Sequence, residues 1–468
     1  MKRHIPPYKS LSLLLGFFLC SACATAPPPQ KKKWDAGEVL DAIEKKANAS
    51  IEKPHPVHKG TVVLHNATVM TANGVIHTPG HVIFTDGRIV AVAGGSPGPV
   101  DGATVHDLDG SYITPGIVDT HSHLGVYPAP YAKAHSDGNE MTSPTTPGVW
   151  AEHSFWPQDP GIENAVKGGV TTIMALPGSA NLIGGRGVTL HMVPTRGSRA
   201  MRFPGAPTGV KMACGENPKR VYGEKGRSPS TRMANVKGYR SIFVKAQQHL
   251  ELLKKKGPEA PRNVDMESLV GILLGKFLPQ VHCYRADDML AFLQVADEFG
   301  FKVRSFHHGL EAYKIRDVLA ERQVSVSTWA DWWGFKLEAY DGIPENAALL
   351  SHAGGKSVIH SDSSRGIQRL NQEAGKAYYS GRHAGLPITE DEALRWITYN
   401  AAWTLGIEHE VGTLEPGKRA DIVVWDKHPF SVYARTERVY VDGFVRYDAR
   451  KKTLPWSDFM LGHEEATQ

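Results

Sequence analysis

Residues 113–123, Ile113-Thr-Pro-Gly-Ile-Val-Asp-Thr-His-Ser-His123, form a short apolar run that ends in two histidines one residue apart. Residues two apart on a β-strand face the same side, so His121 and His123 can present their imidazoles to one metal ion. Pro115 and Gly116 indicate a turn that leads into this strand. Alone, the His-x-His pattern also fits two histidines that merely alternate on a strand, so the rest of the chain has to decide.

The composition is that of an ordinary globular protein. The chain has 468 residues, of which 41% are hydrophobic and 22% charged, enough for one large domain and a small one, or for two to three domains. The net charge of +5 is small for this length, and basic residues near the N-terminus supply much of it. We therefore predict no nucleic-acid partner.

The N-terminus has the pattern of a targeting segment. Lys2, Arg3 and Lys9 precede and flank an apolar run, 11–19, that is too short to cross a bilayer. The following Cys-Ser-Ala-Cys23 resembles a bacterial lipoprotein box, which implies a signal peptide over 1–23 and a lipid anchor on Cys23. Ordinary cleavage near Ala24 or Ala26 without a lipid is the alternative. Either way we predict export to the bacterial cell envelope, in the periplasm or on the outer membrane.

Two cysteines, Cys214 and Cys283, remain beyond the targeting segment. Two cysteines do not make a disulfide framework. Export would permit a bridge between them. We nevertheless expect buried free thiols.

Both ends of the mature chain carry short strand patterns. Residues 60–115 alternate apolar and polar residues between Gly, Asn and Asp turns, and Asp86-Gly87 indicates a hairpin. Residues 412–448 repeat this kind of pattern. Residues 34–53 predict an amphipathic helix that either packs on the domain or belongs to a tether.

The region between them predicts a parallel α/β architecture. Eight segments have the apolar character of buried strands: 113–123, 169–177, 187–193, 207–213, 279–284, 302–308, 324–329 and 357–362. Helical patterns separate several of them, over 287–299, 310–322 and 367–379, and 388–405 predicts a closing helix. Two further helical runs, 231–256 and 265–277, predict an insertion near the mouth. Eight such strands indicate a TIM (β/α)8 barrel.

Three motifs resemble the amidohydrolase superfamily, metal-dependent hydrolases built on a TIM barrel. They are PGIVDTHSH at 115–123, GKRADIVVWD at 417–426 and VYVDGFV at 439–445. The resemblance spans about residues 60–448 and implies a composite β-sandwich formed by both termini. It divides the chain into a signal peptide 1–23, a tether and helix 24–57, sandwich parts 58–112 and 407–450, a barrel 113–406 and a tail 451–468.

Polar residues recur where the predicted strands end, which is where TIM barrels carry their chemistry. The resemblance implies six metal ligands: His121, His123, Lys211, His282, His308 and Asp362. Strand alternation allows only one of two adjacent histidines to point into the barrel, and the segment HHGLEAYKI selects His308. His307 then faces outward or supports the site. His360 and Arg365 are candidates for substrate contact, although a packed strand histidine explains His360 equally well.

Lys211 needs a chemical change to bind a metal, because a cationic amine repels one. The segment GVKMA resembles hydantoinase-like members, whose lysine is carbamylated by CO₂ and bridges two metals. Glu216 is a rival anionic ligand. With a carbamate the site is binuclear; without it, one metal would be held by four of the side chains, namely His121, His123, His282 and Asp362. Zinc is the default metal.

The implied activity is hydrolysis of a C–N bond in a small molecule by metal-activated hydroxide, with Asp362 as general base. Imidazolonepropionase-like and prolidase-like branches suggest cyclic amides or dipeptides. The residues Cys-Tyr-Arg after His282 disfavour a deaminase. A lactone or phosphoester hydrolase remains an alternative activity, and a non-catalytic ligand-binding lipoprotein remains an alternative of another class. The chain could also form a homo-oligomer. The specificity loops carry seven aromatic or cationic residues: Trp150, Trp156, Trp329, Trp332, Trp333, Arg186 and Arg365.

Overall fold

The computed structural model describes residues 33–332 and 334–451, together with Met1 and His4. Nearly all of the predicted signal peptide, the Cys23 lipidation site, Trp333 and the tail after Lys451 lie outside the described residues. Among the described residues, no helix combines the length and the apolarity needed to cross a membrane.

Sixteen strands and eleven α-helices make up the described part of the chain. The strands are β1 (Thr61–Met70), β2 (Ile76–Thr85), β3 (Arg88–Gly94), β4 (Thr104–Asp107), β5 (Tyr112–Pro115), β6 (Ile117–Ser122), β7 (Val170–Ala175), β8 (Ile183–His191), β9 (Gly209–Ala213), β10 (Leu278–His282), β11 (Ser305–His307), β12 (Ser325–Thr328), β13 (Lys356–Ile359), β14 (Ile422–Trp425), β15 (Thr436–Val441) and β16 (Phe444–Asp448). The helices are α1 (Ala36–Ala47), α2 (Pro160–Lys167), α3 (Glu216–Gly223), α4 (Arg232–Lys256), α5 (Val264–Leu273), α6 (Ala286–Phe299), α7 (Arg316–Glu321), α8 (Asn346–His352), α9 (Leu370–His383), α10 (Glu390–Arg395) and α11 (Tyr399–Leu405).

Strands β6 to β13 form a nearly closed eight-stranded barrel, in which each strand pairs with the next along the chain. The first and last strands meet where the Asp362 amide donates to the His121 carbonyl at 3.0 Å. All eight predicted strands are present, so the predicted α/β barrel is confirmed. The carboxyl ends of the parallel strands therefore gather their side chains at one mouth.

The expectation of an all-parallel barrel is wrong for β8. This strand pairs antiparallel with both β7 and β9. Only residues 176–182 connect β7 to β8, and a parallel connection needs a crossover of about a dozen residues or more. The chain therefore turns back as a hairpin, and β8 begins at the mouth of the barrel.

The second sheet contains strands from both ends of the chain, as the sequence predicts. Its order is β16-β15-β14-β5-β1-β2-β3, with β4 paired to β1. Alternate residues of these strands, including Val62, Leu64, Phe84 and Ile422, form a separate apolar core. The pairing of β5 with β14 joins the two termini, since β5 leads directly into the first barrel strand.

A buried polar network, which includes the Arg419–Asp442 ion pair, connects this composite sheet to the barrel. His191 at the end of β8 lies with Nδ1 3.3 Å from Asp442 and Nε2 3.7 Å from Asp421. Arg419 donates to the other oxygen of Asp442 at 2.6 Å. The two ring nitrogens of His191 face different carboxylates, and the Arg419 guanidinium neutralises the carboxylate of Asp442. We therefore interpret these four side chains as a structural junction between the sheet and the barrel.

Helix α1 packs on the barrel wall, which decides between the two predicted placements of 34–53. Asp35 caps it by accepting from the Glu38 amide at 2.9 Å. Glu44 of α1 pairs with Arg186 of β8 at 2.8 Å, and Arg186 also lies over the ring of Trp150. Arg186 and Trp150 therefore belong to this packing contact, which favours loop packing over a role in a substrate pocket for both residues.

Two predicted helical regions have a different role or shape. Helix α4 packs through Tyr239 and Phe243 against Phe292 and Phe301, so it forms part of the helical layer around the barrel rather than a mouth insertion. The predicted closing helix is divided into α10 and α11. A capping box at Thr389 begins α10, and residues 396–398 separate the two helices.

The expectation of free thiols is also wrong, since Cys214 and Cys283 form a disulfide. Each cysteine directly follows a strand, and the two strands are parallel neighbours in which Ala213 pairs with His282. The Cα atoms are consequently 5.2 Å apart, within the range that a disulfide requires. The sequence alone does not show this register.

We expect the Cys214→Ser/Cys283→Ser double variant to lose about 2–5 kcal/mol of unfolding free energy. The bridge closes a loop with a sequence separation of 69 residues, and its removal frees the unfolded chain. Denaturant titration of the oxidised wild type and the double variant measures the difference. In wild type produced without residues 1–26, which contain Cys20 and Cys23, two titratable thiols in the unreduced, denatured chain would contradict the bridge.

Candidate metal centre

The mouth of the barrel brings the six predicted metal ligands together. His121 Nε2 and His123 Nε2 are 3.3 Å apart. Asp362 Oδ1 lies 3.1 Å from the His123 nitrogen and 3.5 Å from the His121 nitrogen. The Lys211 amine is 3.3 Å from His121 Nε2. His282 lies deeper in the same cluster, with its ring centroid 4.7 Å from that of His308.

Hydrogen bonds to carbonyl oxygens determine which nitrogen of each histidine faces this point. His123 Nδ1 lies 2.9 Å from the Leu176 carbonyl, which can only accept, so Nδ1 carries the proton and Nε2 a lone pair. The position of the proton on His121 is determined in the same way, through the side chains of Gln280 and His307. Gln280 donates to the Thr404 carbonyl and presents its own Oε1 to His307 Nε2 at 2.7 Å.

His307 therefore holds its proton on Nε2 and accepts at Nδ1. His121 Nδ1 lies 3.0 Å from this acceptor and must donate to it. His121 Nε2 then carries a lone pair that points toward His123 and Asp362. Support of this kind fixes both the tautomer and the orientation of a ligand histidine.

Burial keeps these imidazoles neutral, the form that binds metals. It lowers the pKa of His121, His282 and His308 well below the usual value, and nearby positive charge adds to the effect. Two lone pairs and a carboxylate oxygen within 4.8 Å of one another suit a divalent cation. The donor set thus fits the metal that the sequence predicts.

A second group of nitrogens lies deeper in the barrel. His121, His308 and His360 offer ligand atoms that are again within 4.8 Å of one another. Both nitrogens of His282 and His360, and Nδ1 of His308, are buried and have no hydrogen-bond partner among the described residues. Unsatisfied buried imidazoles are costly, so these atoms also suit metal ligation. His360, predicted to touch substrate or to pack, lies among the potential ligands.

The argument that only one of His307 and His308 can point inward is wrong. His307 ends β11 and faces the barrel interior. His308 lies beyond the strand with φ 63°, in the left-handed region, and this turn directs its ring inward as well. Asp362 has a similar φ of 51° just after β13. Strand alternation does not apply to either residue.

Lys211 is fully buried in β9, where an ammonium group is unfavourable. Its amine donates to the Pro177 carbonyl at 2.8 Å. Burial lowers the pKa of Lys211 to about 7, although the Asp362 charge opposes this. An uncharged amine is therefore accessible at neutral pH. The rival Glu216 instead pairs with Lys336, with 3.4 Å between its carboxylate and Nζ.

Asp119 is a functional candidate to which the sequence assigned no role. It is fully buried and accepts from the amides of His121 and Ser361, at 3.2 and 3.1 Å, and from the Ser361 hydroxyl. It thereby joins the first barrel strand to the segment that carries Asp362. Gln280 was missed too. Each of the two precedes a predicted ligand by two residues, so the same-face rule could have found them.

An aromatic wall lies beside the histidines. Trp329 and Tyr284 both stack on His308, with ring centroids 4.7 and 5.4 Å from its ring. Trp156 instead stacks on His135. Arg365 is exposed three residues after Asp362, and its predicted contact with substrate stays a prediction.

Replacing Gln280 with Leu should lower metal affinity by about 10- to 100-fold, the usual cost of losing such support. Without the amide acceptor, His307 can place its proton on Nδ1 and donate it to His121 Nδ1. The proton of His121 then moves to Nε2, the nitrogen whose lone pair would bind the metal. Competition with a metal chelator measures the change. Gln247→Leu, on the exposed face of α4, is the matched control. Equal affinity in both variants would contradict the relay.

Comparison with known proteins agrees with this fold. The amidohydrolase family model matches residues 341–449. A solved amidohydrolase from Thermotoga maritima is 37% identical with a TM-score of 0.77, covering 83% of this chain and all of that one. Amidohydrolase tasK of Hapsidospora irregularis is 34% identical over 74% of this chain, and an imidazolonepropionase of Rhizorhabdus wittichii is 46% identical over 12%.

The barrel, the composite sheet and the histidine–aspartate cluster define this chain as a TIM-barrel protein with a candidate metal centre. The relatives named above are similar to it. On the full-length match to the Thermotoga structure, the chain belongs to the amidohydrolase family. It spans 37% of the length of the Hapsidospora relative and 13% of the imidazolonepropionase.

Proposed function

We propose that this chain is a metal-dependent hydrolase that cleaves a C–N bond of a small molecule, in an amide, a cyclic amide or a dipeptide. The carrying observation is the convergence of the His121 and His123 lone pairs with the Asp362 carboxylate, beside the buried Lys211 amine. Membership of the amidohydrolase family supports the same reaction class.

The metal would be held by His121, His123 and Asp362. A carbamate on Lys211 would join them and bridge to a second ion on His282 and His308, whereas without the carbamate one ion is expected. A divalent ion there would lower the pKa of a bound water to about 7 and polarise the substrate carbonyl. Zinc suits this set of imidazole and carboxylate donors.

Asp362 would act as the general base and acid. Burial alone would raise its pKa, but the neighbouring His123 and nearby positive charge lower it, so the carboxylate is ionised. It keeps part of its surface open to the mouth, with 25% of the side chain exposed. It can therefore take a proton from the attacking water and deliver it to the leaving nitrogen.

The test uses the full chain, loaded with zinc in the presence of bicarbonate or treated with a chelator. We expect metal-dependent hydrolysis within a panel of N-acyl amino acids, dipeptides, cyclic amides, lactones and phosphoesters, with the amides preferred. Preference for lactones or phosphoesters would move the chain to that alternative. Bound metal without turnover of any class would favour the ligand-binding lipoprotein.

We also propose that the protein is exported and anchored through Cys23. The Cys214–Cys283 disulfide supports export, because disulfides persist in oxidising compartments. Cell fractionation of the wild type and a Cys23→Ala variant tests the anchor. A variant that stays with the membrane fraction as the wild type does would count against lipidation.

A further inference from the structure

The aromatic wall continues from the metal centre to the surface. Trp329 is 3% exposed, stacks on His308 and donates its indole N–H to the Ser361 carbonyl at 3.1 Å. Trp332 stacks on Trp329 with ring centroids 5.3 Å apart and planes within 22°. The stacked rings thus run in steps from a buried candidate ligand to the mouth.

The outer end of this wall is open to solvent. Trp332 is 37% and Phe335 57% exposed. Phe335 lies edge-on to Trp329 at 6.2 Å and to Tyr284 at 6.3 Å. Binding sites combine such apolar rings with a few polar groups. The two exposed rings belong to one continuous wall with the candidate metal centre, unlike an isolated surface aromatic.

The charges around the wall are already compensated. Lys336 lies over the ring of Tyr284 at 3.9 Å, but its amine is 3.4 Å from Glu216 and 3.5 Å from Glu338. Arg186 is buried against α1, away from the mouth. Among the described residues, the cation that contacts the wall, Lys336, is therefore already paired, and the wall itself offers apolar ring faces.

We propose that Trp332 and Phe335 determine specificity by binding an aromatic ring of the substrate next to the scissile amide. The proposal rests on the amide hydrolase function proposed above. Aromatic rings bury a large apolar area and stack at the separations seen within this wall. The favoured substrate class is then an amide or dipeptide with an aromatic side chain beside the bond that is cleaved.

The experiment compares two substrates that differ only in this group, an N-acyl phenylalanine and an N-acyl alanine. With the metal-loaded full chain, we expect kcat/KM to favour phenylalanine by at least about tenfold, since a few apolar carbons contribute factors of 10 to 200. Phe335→Ala and Trp332→Ala should each lower this ratio several-fold, through KM more than kcat. The control is Tyr433→Ala, an exposed ring outside the barrel, which should leave the ratio unchanged.

An unchanged ratio in both wall variants, or an equal loss on both substrates, would overturn the proposal. Binding of the two compounds is measured in parallel by tryptophan fluorescence. If the wild type hydrolyses neither compound, N-acyl amino acids are excluded as substrates, and the proposed function is decided separately by the dipeptides and cyclic amides of the wider panel. The wall is then judged by whether the wild type binds the phenylalanine compound more tightly and Phe335→Ala abolishes that difference. Effects of the variants on oligomeric state alone would show that another copy covers the wall.

Discussion

Replacing Asp362 with Asn should lower kcat/KM for the best amide substrate by about 10³- to 10⁴-fold, near the upper limit for loss of an acid–base group. Asparagine has almost the same shape and keeps an oxygen that can face His123. It cannot accept the proton of the attacking water or pass one to the leaving nitrogen. The loss should therefore fall mainly on kcat.

The control is Asp287→Asn, which changes an exposed carboxylate at the start of α6, where Asp287 forms a surface ion pair with Arg285. We expect its kcat/KM to remain near that of the wild type. Metal content and thermal unfolding are measured for both variants. A folded, metal-containing Asp362→Asn enzyme with wild-type kcat would exclude Asp362 as the general base.

The architecture of the barrel could be predicted because its strands are continuous apolar runs with strong boundaries. The match of motifs at both termini also predicted the composite sheet. The direction of β8 could not be derived, because an apolar strand has the same pattern in either direction. The short link 176–182 was the available signal, since it cannot hold a crossover.

The site was harder to predict than the fold, because its details depend on exceptions to strand geometry. Alternation places His121 on the inner face, but it fails for His308 and Asp362, whose left-handed backbone follows the strand end. The disulfide depends on the register between β9 and β10, which joins residues far apart in sequence. Such relations appear only after the chain has folded.

The relay through His307 and Gln280 illustrates the same limit. Both residues lie on predicted strands, but the sequence prediction placed His307 facing outward or in a supporting role and assigned no role to Gln280. Their mutual distances of about 3 Å and the resulting tautomers do not follow from the sequence. The role of these residues depends on how neighbouring strands pack. The pattern of a single strand predicts at most which face of the sheet a side chain lies on.

Replacing Lys211 with Met should remove one metal ion per chain if the carbamate bridges two, and should lower kcat/KM by at least about a hundredfold, more than a supporting residue costs. Methionine fills a similar volume but cannot react with CO₂. Metal analysis after loading with zinc and bicarbonate measures the stoichiometry. Lys245→Met, on the exposed face of α4, is the control.

The pH at which the enzyme is loaded gives this prediction a second test. Carbamylation requires the uncharged amine, and burial lowers the pKa of Lys211 to about 7. Below pH 7 the amine is mostly protonated and cannot react, so loading of the metal-free wild type with bicarbonate should succeed better at pH 8 than at pH 6. Labelled bicarbonate should enter the wild type but not Lys211→Met. Equal metal content and activity in the wild type and the variant would mean that Lys211 only fills the barrel, and a single metal on His121, His123 and Asp362 would then be the better description of the site.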